Sequence, residues 1–319
     1  MGKFSGKNIF ITGGAGFIGS NMVEALLDNA GTVTVYDNLS SGNYEFIKMY
    51  EGKNGFRFIK GDLLDADKLL EALKGSESEV VIHLAANPNV RLGAEQTDLD
   101  LKQGTIATHN LLEAMRKSGA RQILFSSSSV VYGEADVKPT PEHYGPLKPI
   151  SLYGSAKLAS EALITAYSHL FGIEYMIFRF ANVIGKNSTH GVIYDFIKKL
   201  RGNSAELEVL GTGRQKKSYI DVSDCVGAML FAFEKSSSSD IFNIASDDQI
   251  SVEEIAKLVV ARVAPTARIR FTNSERGWPG DVTDAFLSNE KLKRLGFVPK
   301  YSSRAAVEKA IDTILAAQA

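Results

Sequence analysis

Tyr153 and Lys157 stand four residues apart in Ser151-Leu-Tyr-Gly-Ser-Ala-Lys157, and a glycine-rich turn, Thr12-Gly-Gly-Ala-Gly-Phe-Ile-Gly19, lies far upstream. If the later segment is helical, residues at i and i+4 share a face, so the ammonium sits beside the phenol and favours phenolate. A free phenol, with a pKa near ~10, is too weak a base at neutral pH, and one neighbouring cation lowers it by roughly one to three pH units. The glycine turn has the form of a dinucleotide-phosphate site. Together the two motifs imply redox chemistry on a bound nicotinamide, with Tyr153 as general base.

The glycines at 13, 16 and 19 lack the β-carbons that would keep a pyrophosphate from the backbone and from the N-terminus of the helix that follows. Context strengthens the pattern: it follows an expected strand, opens an expected helix, and precedes by eighteen residues an acid, Asp37, at the end of a second strand. Asp37 suits the hydroxyls of an adenosine ribose and repels a 2'-phosphate, which selects NAD over NADP. Asp62, in Gly61-Asp-Leu after a third strand, is placed equally well to cap a turn or to reach an adenine amino group.

Short β-branched runs over 8–12, 32–36, 56–59, 80–84 and 122–126 alternate with patterns of period near 3.6 over 21–29, 67–73 and 105–118. That order predicts a Rossmann-type α/β fold, a doubly wound parallel sheet with helices on both faces. A long helix over 153–171 and a sixth strand over 174–179 follow. Beyond 182 the alternation is irregular, with helices expected over 192–201, 223–233 and 251–263 and strands over 206–210 and 215–220. We therefore expect an NAD-binding domain over 1–182 and a smaller nucleotide-sugar-binding α/β lobe over 183–319, with some chain exchange between them.

The 319 residues carry 36 basic and 37 acidic side chains for a net charge of -1, so no global field recruits nucleic acid or an anionic membrane. Hydrophobic content of 44% is that of a soluble globular chain. The single cysteine, Cys225, excludes an internal disulfide and is expected as a buried small residue. No apolar run approaches a membrane span, and a cytoplasmic location is the expectation. The five histidines have no metal-ligand spacing, so no metal site is expected.

At this point the chain resembles the extended short-chain dehydrogenase/reductase family, its NAD-dependent epimerase/dehydratase group, and within that most closely the UDP-glucose (UDP-galactose) 4-epimerases. The resemblance covers nearly the whole sequence. It is carried by the two motifs above and by Tyr36-Asp-Asn-Leu-Ser-Ser-Gly42, Gly61-Asp62, His83-Leu-Ala-Ala86, Phe125-Ser-Ser-Ser-Ser-Val-Val-Tyr-Gly133 and Arg179-Phe-Ala-Asn182.

The resemblance implies roles residue by residue. Tyr153 is the base, Lys157 its electrostatic partner and a ligand of the nicotinamide ribose, and Ser128 the hydroxyl that bonds the reacting sugar oxygen. NAD contacts fall on Gly13, Gly16, Phe17, Ile18, Gly19, Asp37, Asn38, Ser41, Gly42, Asp62, Leu63, Leu84, Ala85 and Ala86. Substrate contacts beyond Ser128 fall on Asn182, His190, Val192, Lys217 and Arg276. The implied reaction inverts C4 of a UDP-hexose through a 4-keto sugar, in a homodimer paired through helices near 104–118 and 156–171.

Departures from the pattern narrow the reading. Dehydratases and decarboxylases of this resemblance usually place a Glu before the Val-Tyr-Gly that ends the serine loop, where this chain has Val130. Asn87-Pro-Asn-Val-Arg91 stands where many such epimerases carry a Lys near the nicotinamide. Ala285 replaces a bulky gatekeeper, which leaves room for N-acetyl sugars. Arg91, Arg214 or His190 would suit a uronate carboxylate, so a UDP-glucuronate 4-epimerase is the alternative. A non-catalytic NAD-responsive binding protein is the third reading, and the presence of Ser128, Tyr153 and Lys157 opposes it.

Overall fold

Near-continuous runs of Val, Ile and Phe fold as strands covered on both faces, which parallel sheets require. In the computed structural model, residues 2–274, 276–278 and 280–317 are described; Glu275 and Pro279, in the expected basic stretch 275–281, lie outside them. Six strands follow the expected runs: β1 (Asn8–Thr12), β2 (Thr32–Asp37), β3 (Phe56–Lys60), β4 (Val80–His83), β5 (Gln122–Ser128) and β6 (Glu174–Phe180). A seventh, Asp240–Ile244, completes the sheet in the order Asp240–Ile244, β6, β5, β4, β1, β2, β3. The pairings from β3 through β2, β1 and β4 to β5 are parallel.

Helices α1 (Phe17–Leu26), α2 (Ala66–Ser76), α3 (Val90–Glu95), α4 (Ala107–Ser118) and α5 (Leu152–Phe171) connect these strands. The doubly wound α/β sheet expected from the alternation is present. Strand order reverses between β1 and β4, the place in such sheets where ligands meet the carboxyl ends of the strands. Phe10, Leu69, Leu111, Met115, Phe125 and Ile164 form the core between sheet and helices.

Local chemistry sets the helix ends. Ser151 caps α5 by accepting from the Gly154 amide at 3.1 Å, and Gly172 closes it in the left-handed region at φ 68°. α1 starts at Phe17, four residues before the periodicity suggested, because Gly16 is its extended N-cap. The pattern over 105–118 resolves into a π-type turn, Leu101–Ile106, followed by α4. There Gly104 approaches α5 so closely that a β-carbon on it would lie 2.9 Å from Ala156 Cβ.

The chain divides into two units: 2–131, 151–179 and 229–242 make the first, and 132–150, 180–228 and 243–317 the second. Within the second, helices Val192–Gly202, Val252–Val263 and Ser303–Ala317 share a core that includes Phe196, Ile197, Ile255, Val259, Val307 and Ile311. Ser251 and Glu254 form a capping box on the middle helix. The strand expected over 215–220 is two short ones, Lys216–Lys217 and Tyr219–Asp221. They part at Ser218 because it turns to different partners, its amide to Ala285 O at 3.2 Å and its hydroxyl to Ser246 O at 3.0 Å. No helix among the described residues is long and apolar enough to cross a membrane.

Candidate active site

The glycine turn is built from backbone contacts that a side chain would break. Gly13 has φ +72°, and a β-carbon there would lie 2.6 Å from the Ala85 amide nitrogen, so β1 and the chain leaving β4 meet only through glycine. A β-carbon on Gly19 would collide with the Gly13 carbonyl and lie 2.7 Å from Gly14 Cα. The first turn of α1 carries no acid and no side-chain cap, so its free amides and dipole are available to an anion.

Asp37 ends β2 at 8% exposure. Its Oδ2 accepts from the Ala15 amide at 3.0 Å and its Oδ1 from the Leu39 amide at 2.8 Å, which aims the carboxylate and leaves lone pairs for further donors. Burial raises its pKa and the two amides oppose that rise. Gly42 closes over it, since a β-carbon there would sit 3.0 Å from Asp37 Oδ1. Asp62 takes the turn-capping role: Oδ1 accepts from the Leu64 amide at 2.9 Å, and Oδ2 accepts from Asn38 Nδ2 at 2.9 Å. Phe17, Ile18 and Gly19 lie in α1, Ser41 is exposed, Leu63 is buried, and Leu84, Ala85 and Ala86 follow β4 half-buried. A glycine-lined anion cradle and a fixed carboxylate one strand away fit NAD.

β5 ends on Ser128, which is half-buried, and α5 carries Tyr153 and Lys157. Lys157 is 3% exposed; its Nζ donates to Ser126 O at 2.6 Å and lies 5.7 Å from the centre of the Tyr153 ring. The expected pair is therefore together. Burial brings the Lys157 pKa from its ordinary 10.5 to about 8, with Glu161 and Asp100 opposing. The phenol departs from expectation. Burial first and the Asp100 charge second push the Tyr153 pKa up.

Between pH 8 and 10.5 the unfolded chain holds a proton at residue 157 that the folded chain has lost, so the parent gains stability as pH rises through that window. Lys157→Met lacks this group. Its stability relative to the parent is expected to fall by up to about 3 kcal/mol across the window. Denaturant unfolding of both proteins at the two limits checks this, and a constant difference refutes it.

Several neighbours were not legible as site residues. Glu161 lies one turn beyond Lys157 on α5 and pairs in the buried interior with Arg179 of β6, through Nη2–Oε2 at 2.7 Å and Nε–Oε1 at 3.0 Å. Ser127 Oγ donates to Glu161 Oε1 at 2.5 Å. His83 sits between Thr12 Oγ1, 2.7 Å from Nδ1, and Thr108 Oγ1, 3.1 Å from Nε2. Burial, and then Lys157, lower its pKa to about 3, so it is a neutral bridge. The i+4 spacing from Lys157 to Glu161 was the available signal for Glu161; Ser127, His83 and Arg179 lie within motifs read from the sequence, which gave no sign of these partners.

In the second unit, Asn182 opens the strand Asn182–Ile184 half-buried, His190 is exposed, and Val192 is the first residue of its helix. Lys217 pairs with Asp281 at 2.6 Å. Arg276 donates to Asp281 O at 2.9 Å and pairs with Glu134 at 2.7 Å. The structure thus brings Lys217 and Arg276 to one carboxylate-bearing stretch, with both charges already matched. Ala285 stands opposite Lys217 in the strand register.

Residues 9–245 match the model of the NAD dependent epimerase/dehydratase family. The chain is similar to a putative UDP-glucose 4-epimerase of Methanocaldococcus jannaschii, 33% identical over 95% of this chain and 97% of the relative. It is also similar to a solved UDP-galactose 4-epimerase, 39% identical with TM-score 0.86 over 97% and 99% of the two chains. The UDP-glucose 4-epimerase of Thermotoga maritima, solved with UDP-glucose, is 31% identical with TM-score 0.89 over 98% and 100%.

Proposed function

The chain belongs to the NAD dependent epimerase/dehydratase family, and from that premise we propose that it inverts C4 of a UDP-hexose, UDP-glucose and UDP-galactose first. NAD is the cofactor, and when bound it supplies the acceptor that takes the C4 hydride and gives it back. Gly13, Gly16 and Gly19 hold its pyrophosphate, Asp37 its adenosine ribose and Lys157 its nicotinamide ribose. Tyr153 removes the proton of the 4'-hydroxyl while the C4–H bond breaks, Ser128 donates to the same oxygen, and the C=O bond forms. After the 4-keto sugar has turned over, Tyr153 would return the proton to the 4'-oxygen, and reduction of C4 from the opposite face would complete the inversion. Atoms and electrons balance with no other reactant.

The observation that carries the reading against a dehydratase is the turn Ser129–Tyr132, which follows Ser128 and holds no acid. Elimination of water across C5–C6 needs a further acid and base; reversible oxidation at C4 does not. The test is incubation with a panel of UDP-sugars without added reductant. Interconversion of UDP-glucose and UDP-galactose is expected, and a panel with no C4 inversion refutes the proposal. We include UDP-N-acetyl sugars as slower substrates, since Ala285 is small.

A second reading, UDP-glucuronate 4-epimerase, is favoured by Arg91 and Arg214, which have no ion pair among the described residues. Comparison of kcat/KM on UDP-galactose and UDP-glucuronate separates the two. The proposal extends to a cytoplasmic homodimer. The pairing is supported by apolar surface at Leu101, Ile106, Leu170 and Phe171, on the π-type turn and at the end of α5.

A further inference from the structure

Two short ladders of the second unit meet at Ser218. On one side Lys216 and Lys217 run in parallel register with Asp284 and Ala285; on the other, Tyr219 pairs with Asn182. The Ser218 amide donates to Ala285 O at 3.2 Å, and its carbonyl accepts from the Asn182 amide at 3.2 Å. One residue is thus bonded to Ala285 and to Asn182 and follows Lys217 in the chain. Ladders of two and three residues are marginal by themselves, so their register needs an anchor from outside.

The anchor is a sealed cluster of hydroxyls. Ser218 is 1% exposed, and Ser246 and Ser303 are 0% exposed. Ser218 Oγ donates to Ser246 O at 3.0 Å and lies 2.8 Å from Ser246 Oγ, which lies 2.7 Å from Ser303 Oγ. Ser303 opens the helix Ser303–Ala317; its hydroxyl donates to Asp248 O at 2.9 Å and accepts from the Tyr219 amide at 3.0 Å. That helix is packed through Ala306, Val307 and Ile311, all sealed from solvent. Hydroxyls are costly to bury without partners, and here each has one.

We propose that Ser218 is a positioning residue of the substrate face: its hydroxyl, buried against Ser246, sets the register that presents Asn182, Lys217 and Ala285 together. The inference rests on the UDP-sugar reading, in which Asn182 and Lys217 touch the substrate and Ala285 borders its sugar. Lys217 is held twice, through this register on its backbone and by Asp281 on its ammonium at 2.6 Å. Loss of the Ser218 hydroxyl leaves that ion pair in place but frees the backbone that carries it. Weaker binding with intact chemistry is the consequence, since Ser128, Tyr153 and Lys157 belong to the first unit.

The experiment is calorimetry with UDP on the NAD-loaded protein, beside steady-state kinetics on UDP-glucose. Ser218→Ala is expected to raise the Kd for UDP and the KM roughly tenfold, with kcat and the Kd for NAD within about twofold of the parent. Ser246→Ala removes a hydroxyl from the same cluster but keeps the carbonyl that Ser218 bonds, and is expected to leave the UDP Kd within about twofold. Ser218→Cys, of similar size and a weaker donor, takes the place of Ser218→Ala where the latter does not accumulate as folded protein, with a rise of about threefold expected. An unmoved UDP Kd in the Ser218 variant overturns the inference. So does an equal rise in Ser246→Ala, or a matching rise in the NAD Kd, since either marks general loosening of the fold. If the parent binds UDP but inverts no sugar, the epimerase reading fails, while a raised Kd in the Ser218 variant upholds this inference. If the NAD-loaded parent binds no UDP, the substrate face and this inference fall together.

Discussion

Tyr153→Phe is expected to bind NAD as tightly as the parent and to lose two to four orders of magnitude in kcat, the range over which a positioned general base accelerates proton transfer. The variant removes one oxygen from a ring that otherwise keeps its packing, so folding and cofactor uptake report on the scaffold while kcat reports on the base. The pH profile adds a sign. Burial and Asp100 both hold the phenol above its ordinary range, so in the parent kcat falls as pH drops and Tyr153 becomes harder to ionise. Bound cofactor and the Lys157 ammonium pull the other way, and the acid limb of the profile marks the balance. In the phenylalanine variant the residual rate has no such limb. A variant with turnover within tenfold of the parent removes Tyr153 from the mechanism.

Much of this architecture was legible because its causes are local. Strand runs over 8–12 and 32–36 are dense in β-branched residues, and the glycines at 16 and 19 answer to backbone contacts with Gly13 and Gly14 a few residues away. Tyr153 and Lys157 were legible because helical period alone puts them on one face. The strand Asp240–Ile244 was missed since its signal is one short run after four serines, and only the sheet edge beside β6 makes it a strand. Charges were the least legible. The phenol was expected to be lowered by its neighbour four residues on, whereas its setting comes from burial and from Asp100, fifty-three positions upstream in sequence. Lys217 and Arg276 likewise read as free cations until Asp281 and Glu134 were found beside them.

The same long-range charge logic predicts the largest loss of stability. Arg179→Met is expected to cost about 3 to 5 kcal/mol, because it leaves the Glu161 carboxylate buried with Ser127 as its remaining donor. Replacing both partners, Glu161→Met with Arg179→Met, is expected to restore most of that loss, since no charge is then stranded. Activity is expected to separate from stability in the double variant. Glu161 holds up the Lys157 pKa, already down to about 8, so its removal lets the ammonium discharge at lower pH. The basic limb of the kcat profile therefore moves down even where the protein is well folded. Denaturant unfolding of the single and double variants, with pH profiles of each that turns over, checks both parts. A single variant that loses less than about 1 kcal/mol would mean that Glu161 is reached by water or by another donor, and the buried pair would no longer explain how α5 is held to β6.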